Sequence, residues 1–455
     1  MEEQDTQRPW EELELLVEEA DTKQLEIFLE ALPASETARA VTRLSEDDQD
    51  RLLTTLSPES AAEVVEQIPE VHAVGLMKRL EPETAAAIVH KLPSDVQADL
   101  LGEMEPKSAA AIYDVMTPEE AEEIRTLARY DDNVAGGLMV TEYLAYPRTA
   151  TVADVLEDLE VHAETYRHYH VQYLYVCDDA ERLVGVLRLH ALILAPRRRA
   201  IDTIMIPEPM TLVDTTPLDK IREVFDQMAF FGLPVVDETG ILVGVLHRSA
   251  LEAALASRTE NAYRASQGII GGEELRTMPL LLRARRRLTW LSVNIVLNIM
   301  AASVIAWYQD TLTSVIALAV FLPIISDMSG CSGNQAVAVS IRELSLGLVH
   351  PREWLRVWGK ELAVGSINGL VLGILIALVA WLWQGNSFLG IVVGAAMTLN
   401  TLVSVSIGGA VPLLLRCFNL DPALASGPIL TTITDMCGFL FVLSFATALL
   451  TYLSG

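Results

Sequence analysis

The stretch LRARRRLTW, residues 282–290, divides the chain into two parts of opposite character. Before it the sequence is acidic: residues 1–130 alone carry 31 Asp and Glu against 11 Lys and Arg, within a net charge of −28. After it the chain is nearly uncharged and strongly apolar. Because Lys and Arg mark the cytoplasmic flanks of membrane helices, the four arginines predict that the acidic part stays in the cytoplasm. Such an anionic surface should repel nucleic acid.

The part after these arginines predicts a transmembrane domain over residues 285–455. Each of its apolar segments is long enough to cross a hydrocarbon core of about 30 Å. The five segments cover residues 288–308, 312–341, 361–383, 388–415 and 423–453. Basic residues between the second and third segments, and between the fourth and fifth, place the N-terminus inside and the C-terminus outside a bacterial-type inner (plasma) membrane. The acidic start, MEEQDTQRPW, predicts no cleavable signal peptide.

An internal repeat organises the region before the β-rich part of the chain. The phrases LSPESAAEVVEQIP, LEPETAAAIVHKLP and MEPKSAAAIYDVMTP place Pro58, Pro82 and Pro106 at a constant interval. Proline is tolerated in the first turn of a helix, where its missing N–H has no intrahelical partner. The repeat therefore predicts paired short helices stacked into an all-α superhelix over residues 1–130.

Two related copies follow the superhelix. VQYLYVCDDAERLVGVLRLHALI (171–193) and GLPVVDETGILVGVLHRSALE (232–252) share a β-rich run, an acidic turn, an LVGVL strand and a helix. They predict an α/β tandem with copies at residues 135–200 and 201–257, followed by a connecting region at 258–284. The tandem resembles a CBS-domain pair. The resemblance implies sensing, with an adenine nucleotide or a metal ion bound between the copies.

Two acids lie inside predicted membrane segments and are the candidate metal ligands. Asp435 is central in GPILTTITDMCGFLF (427–441), and Asp327 is central in FLPIISDMSGCSGNQ (321–335). An ionised carboxylate at the bilayer centre costs about 2.5–3.5 kcal/mol or more. Water, a bound cation or protonation can offset this cost, and a protonated carboxyl bonded to a neighbouring helix is the alternative to a metal site.

Polar and small residues at helical spacing from these acids predict a pore wall, although helix packing alone would also explain the glycines. The predicted pore-lining residues are Gly330, Asn334, Gln335, Asn400, Pro428, Thr431 and Thr432. Oxygen ligands without a thiolate pair or a histidine cluster suit a hard cation such as Mg²⁺. A symmetric homodimer would bring two Asp435 side chains together.

The ion needs no chemical energy source, because a divalent cation gains about 4.6 kcal/mol per 100 mV of inside-negative potential. The sequence contains neither a GxxxxGK[ST] nor a GxSxG motif, so we predict a channel or transporter rather than an enzyme. Two alternatives stay open. One is a secondary transporter in which Asp327 and Asp435 exchange protons or Na⁺ for the cation. The other is a membrane sensor controlled by nucleotide at the CBS pair.

The order of these parts resembles the MgtE family of magnesium channels over nearly the whole chain. The phrases ARYDDNVAGGLM (128–139), SGCSGNQ (329–335) and TTITDMCG (431–438) carry the resemblance. It implies a homodimer with the pore between protomers, hydrated Mg²⁺ at Asp435, and a wall that includes Gly333 beside Gly330 and Asn334. Asp327, Cys331 and Gly427 depart from the family pattern, which leaves Co²⁺ and Mn²⁺ as further candidate ions.

The resemblance also implies closure of the pore by Mg²⁺ bridging acids of the cytoplasmic region. Few of the expected acids remain in this chain. The regulatory-metal candidates are Asp95, Asp214, Glu252 and Glu260. We therefore predict that Mg²⁺-dependent closure is weakened or replaced.

Overall fold

A computed structural model describes residues 8–167, 169, 171–227, 230–266, 268–269, 275–276, 278–345, 347–418 and 422–453. The chain divides into two compact units, residues 1–257 and 258–455. The predicted architecture is confirmed: an N-terminal helical domain, a CBS pair with two small sheets, and a C-terminal helical region.

The N-terminal domain is a stack of short helices with one continuous apolar core. The predicted prolines Pro58, Pro82 and Pro106 each begin a helix. The Ser57 hydroxyl caps one of them by accepting a hydrogen bond from the Ser60 N–H. The helices are α1 Pro9–Glu19, α2 Thr22–Ala31, α3 Ala34–Val41, α4 Glu46–Thr55, α5 Pro58–Gln67, α6 Glu70–Met77, α7 Pro82–Val89, α8 Ser94–Gly102, α9 Pro106–Tyr113 and α10 Pro118–Leu127.

The CBS pair contains a four-stranded sheet ordered β1-β2-β3-β4 and a three-stranded sheet ordered β5-β6-β7. In both sheets the first strand runs parallel to the second, and the second pairs with the third as an antiparallel hairpin. The strands are β1 Ala145–Pro147, β2 Tyr173–Cys177, β3 Leu183–Arg188, β4 Ile206–Pro207, β5 Leu212–Val213, β6 Gly232–Val236 and β7 Leu242–His247. The helices are α11 Val152–Val161, α12 Ala163–Tyr166, α13 Leu189–Leu194, α14 Leu218–Gln227 and α15 Arg248–Ser266.

The internal repeat extends to the register of the two hairpins. Val176 pairs with Gly185 in the first hairpin, and Val235 pairs with Gly244 in the second. Each hairpin has its register shift at this valine. The two LVGVL strands therefore occupy equivalent positions, as the repeat predicts.

The C-terminal unit is built from long helices. They are α16 Leu280–Trp307, α17 Gln309–Ser314, α18 Leu318–Ser345, α19 Trp354–Gln384, α20 Ser387–Cys417, α21 Pro422–Ala448 and α22 Leu450–Leu453. α20 is the central helix: 61% of its most apolar window is buried, against 6% for α16. The exposed faces of α16 and α19 carry large apolar side chains such as Ile299, Ile367 and Ile374, as expected for contact with lipid.

The number of apolar spans differs from the five predicted. Within the described residues, four helices are long and apolar enough to cross a membrane: Leu280–Trp307, Pro351–Gln384, Ser387–Cys417 and Ile429–Ala448. The predicted segment 312–341 corresponds mostly to α18, which has 28 residues but is too polar to be counted among them. Its length is sufficient for a membrane span, and its polar residues form the candidate site described next.

Candidate functional site

Asp435 lies on α21 and contacts α18. Its side chain is half-buried, and its Oδ1 accepts a hydrogen bond from the Ser326 hydroxyl. Asp327, the residue after Ser326, is close enough to Asp435 for the two side chains to interact electrostatically. The two predicted intramembrane acids are therefore brought together where α18 and α21 pack, and one of them is fixed by a hydroxyl donor.

α18 has one polar exposed face. Asp327, Cys331, Asn334 and Gln335 recur at helical spacing and are all exposed. The opposite face is buried against the bundle and includes Ile325, Phe321, Ser329, Ala336 and Ser340. A carboxylate and two amides cannot face hydrocarbon without a large cost. In a membrane this face must contact water or another protein surface.

The predicted pore-lining residues on α21, and Gly330 on α18, are accessible to different extents. Thr431 is exposed, and its hydroxyl donates to the Gly427 carbonyl at 2.9 Å. Thr432 is half-buried. Gly330 has open space where a side chain would stand. The side chain of Pro428 lies outside the described residues.

The sequence predicts Gly333 and Asn400 in the pore wall, but the structure places both of them inside the helix bundle. A side chain at Gly333 would collide with Ser404 and Leu430. Asn400 has 0% exposure. Both positions are on stripes of small and polar residues, but these stripes face neighbouring helices. Their burial is better explained by close helix packing than by contact with an ion.

Ser326 is a site residue that the sequence reasoning missed. Hydroxyl residues are common in membrane helices, where they often donate to their own backbone, so a single serine carries little information. Its position directly before Asp327 was the available signal. Ser329 was also missed. Its carbonyl accepts a 2.6 Å hydrogen bond from the hydroxyl of Ser404, which lies on the polar stripe of the fourth predicted segment, and this bond joins α18 to α20.

The regulatory candidate Asp95 lies where α8 meets the CBS pair. The Glu142 carboxylate accepts hydrogen bonds from the Ser94 N–H at 2.9 Å and the Ser94 hydroxyl at 2.8 Å. Burial raises the pKa of Asp95 to about 6. The hydrogen bond from the Val96 N–H lowers this pKa, and the negative charge of Glu142 raises it. Burial and the neighbouring acids raise the pKa of Asp99 to about 7. Asp95 therefore lies in a desolvated acidic junction.

The other regulatory candidates have separate environments. Asp214 accepts a 2.9 Å hydrogen bond from the Tyr130 hydroxyl, and burial together with this bond raises the pKa of Tyr130 to about 12. Glu252 and Glu260 are exposed on α15, where Glu260 pairs with Arg264 at 3.3 Å. In the described parts of the chain, no three His, Cys, Asp or Glu side chains are grouped to hold a metal ion. The predicted acids are thus not gathered into a regulatory metal site in this conformation.

A small cleft lies between the two CBS copies. Tyr143 and Tyr175 line it with their rings in an edge-to-face arrangement, 6.1 Å between centroids. The cleft residues are Glu142, Tyr143, Leu144, Val171, Gln172, Tyr173, Tyr175, Gly232, Val245 and His247. Tyr175 is buried and packs with Tyr143 and Val245 in the apolar cluster between the copies, so the two rings belong to the core.

The residues that match family models make up most of the chain. Residues 322–445 match a model described as a divalent cation transporter, which is the MgtE family. Residues 32–133 match the MgtE intracellular N domain, and residues 135–198 and 201–257 match CBS domains.

Named relatives agree with these matches. The Thermus thermophilus protein named magnesium transporter MgtE is 34% identical over 344 residues, 74% of each chain. Its Bacillus subtilis counterpart is 30% identical over 334 residues, 73% of each chain. A crystal structure of the soluble part of a magnesium transporter superposes with a TM-score of 0.51 at 23% identity, covering 55% of this chain and 98% of that one. This last likeness supports the fold of the first unit, residues 1–257.

Proposed function

The chain belongs to the MgtE family of divalent cation transporters, and from this membership we propose that it conducts Mg²⁺ into the cell. The observation that carries the proposal is the junction of α18 and α21, where Asp435 accepts from Ser326 beside Asp327. Oxygen donors of this kind suit Mg²⁺, which gives up its water ligands reluctantly. Asp435 would hold the ion through its hydration shell, and Co²⁺ or Mn²⁺ would be accepted on the same ligands.

The conducting unit is a homodimer with its pore between protomers. Two carboxylates from one protomer are few for a divalent ion, and an isologous pairing doubles them. The polar face of α18 supports this assembly, because Asp327, Asn334 and Gln335 are exposed in one protomer. α16, α18, α19, α20 and α21 would be the five spans, with the N-terminus in the cytoplasm and the C-terminus outside.

Flux assays in proteoliposomes test the proposed function. Mg²⁺ should enter vesicles under an imposed inside-negative potential, at a rate that rises with the potential because each ion carries two charges. Uptake that instead requires a pH or Na⁺ gradient would identify a coupled secondary transporter. The absence of flux of any cation would leave a sensor as the function.

The cytoplasmic unit regulates this pore through the CBS pair. Regulation would come from an adenine nucleotide bound between the two copies, the site that the resemblance to a CBS pair implies. Closure by Mg²⁺ is weak, because Asp95 and Asp214 have separate partners in the described structure. Adding ATP on the side of the cytoplasmic domains in the flux assay should therefore change the rate more than adding Mg²⁺ there.

Cysteine cross-linking should detect the homodimer. Cys331 lies on the exposed polar face of α18, so a short bismaleimide should join two Cys331 thiols across the pore. Covalent dimer on a denaturing gel should be lost in Cys331→Ser. Cys417 is also exposed, at the end of α20, and Cys417→Ser is the matched control that should retain the dimer. If the dimer survives Cys331→Ser but not Cys417→Ser, another face forms the interface.

A further inference from the structure

Arg248 connects two helices of the second CBS copy. Its Nη2 donates to the Phe225 carbonyl at 2.8 Å, and its Nε donates to the Phe230 carbonyl at 2.9 Å. The guanidinium also lies 5.0 Å from the centroid of the Phe225 ring, which belongs to a residue that is 1% exposed. Three contacts therefore hold this half-buried cation against the C-terminal end of α14.

The end of α14 is a place where a cation is stabilising. Phe225 lies in the last turn of α14, and the last four carbonyls of a helix have no partner within that helix. The helix dipole adds partial negative charge at the same end. A guanidinium is always charged and donates in two directions from one plane, so it can bridge a helix carbonyl and a loop carbonyl. Arg248 thus caps α14 from the start of another helix.

The internal repeat supplies a comparison for this contact. Arg248 is the first residue of α15 and Leu189 is the first residue of α13, and each directly follows the second strand of its hairpin. Their backbone N–H groups donate to equivalent carbonyls, Phe231 at 2.8 Å and Gln172 at 3.2 Å. The side chains differ, because Leu189 packs against the apolar cluster of the first copy. The shared backbone arrangement therefore does not require an arginine, and the second copy has one in addition.

The helices that begin at these two positions differ in length and in destination. α13 ends after six residues, whereas α15 continues for 19 residues, from Arg248 in the first compact unit to Ser266 in the second. Leu251, Ala254 and Leu255 follow Arg248 at helical spacing and pack in the core of the second copy. The arginine therefore belongs to the anchored face of the helix that leads to the membrane domain.

We propose that Arg248 couples the second CBS copy to α15, so that a movement of α14 is transmitted to the helix that leads to the pore. This inference rests on the proposed function, in which a nucleotide at the CBS pair controls Mg²⁺ flux. The side chain is bonded to α14 and to the loop after it, while its own backbone begins α15. A leucine, as in the first copy, would pack there but would bond to neither carbonyl. The link contains no carboxylate, so it forms without Mg²⁺.

The test measures how far ATP changes voltage-driven Mg²⁺ flux through the full-length protein. Coupling between two sites commonly amounts to about fivefold or more. Arg248→Leu introduces the residue of the first copy and should bring the ratio of the rates with and without ATP to about one. The variant should still bind labelled ATP and still conduct Mg²⁺. If Arg248 only stabilised the fold, its loss would lower ATP binding and flux together and leave the ratio unchanged.

Two further variants keep the test decisive. Arg248→Lys keeps the charge but loses the planar fork that bridges two carbonyls, so it should give an intermediate ratio even if the leucine variant does not fold. Arg39→Leu is the matched control. The Arg39 guanidinium also lies 5.0 Å from the centroid of an aromatic ring, that of Trp10, but in the superhelix, and its loss should leave the ratio at the wild-type value.

The outcomes separate this inference from the proposed function. A wild-type ratio in either Arg248 variant, in protein that binds ATP, would overturn the inference alone. Wild-type protein that conducts Mg²⁺ without any response to ATP would overturn the proposed regulation and this inference with it. Wild-type vesicles without Mg²⁺ flux would overturn the proposed function itself.

Discussion

Asp435→Asn should reduce voltage-driven Mg²⁺ uptake at least a hundredfold. The substitution keeps the size of the side chain and its bond to the Ser326 hydroxyl, but it removes the negative charge. Two unit charges about 4 Å apart attract by about 4 kcal/mol at an effective dielectric of 20, and the ion carries two charges and would meet two such carboxylates. A loss of about 2.7 kcal/mol is already a hundredfold change, so the remaining hydrogen bonds cannot compensate. Initial uptake rates at a fixed potential measure the effect.

A matched substitution controls for nonspecific effects. Asp310 is exposed on α17 in the same unit, and Asp310→Asn should leave the uptake rate within twofold of wild type. Ser326→Ala removes one hydrogen bond to Asp435 and should have an intermediate effect of about tenfold. If Asp435→Asn retains more than a tenth of the wild-type rate while both proteins are equally folded, the carboxylate is not the ion-binding group.

The parts of the fold that the sequence predicts well are those with a local signal. The prolines that begin α5, α7 and α9 mark helix starts because their constraint acts within one turn. The shared LVGVL phrase predicts equivalent strands, and the two hairpins have the same register and the same irregularity. Both signals depend on backbone geometry over a few residues, so they survive without knowledge of tertiary contacts.

The site is harder to predict, because helical spacing shows which residues share a face but not what that face contacts. Asn334 and Asn400 have the same side chain on comparable stripes. The structure exposes Asn334 and buries Asn400 completely. A pore wall and a tightly packed helix interface both favour small and polar residues. Only the positions of the neighbouring helices separate the two cases.

The acidic junction at α8 shows the same limitation. Asp95 and Asp99 are two of the many acids in the N-terminal superhelix, and most of those acids are simply solvated. The raised pKa values of about 6 and 7 arise from burial where the superhelix meets the CBS pair. Ala98, which lies between them in sequence, packs in the core of the second CBS copy. Sequence alone identifies the acids but not the contact that desolvates them.

Gly408→Val should prevent assembly of the transmembrane bundle. α18 and α20 cross where Gly408 faces Gly333, and a Cβ at Gly408 would collide with the Gly333 carbonyl oxygen and lie 3.2 Å from the Ala336 Cβ. Backbone atoms cannot move aside as a flexible side chain can, so the cost should exceed about 3 kcal/mol, the upper range for an overpacked core. We expect little monodisperse protein in size-exclusion chromatography and a strongly lowered melting temperature in what remains.

Gly359→Val is the matched control, since Gly359 is on a long helix of the same unit and has nothing within 4 Å of its Cβ position. It makes the same change in intrinsic helix propensity without a collision, so it should behave like wild type in both measurements. The comparison also tests the placement of Gly333, which the structure uses for helix contact rather than for the pore wall. A wild-type melting temperature for Gly408→Val would mean that α18 and α20 do not cross at these glycines. Gly333 would then be free to line the pore, as the family resemblance implies.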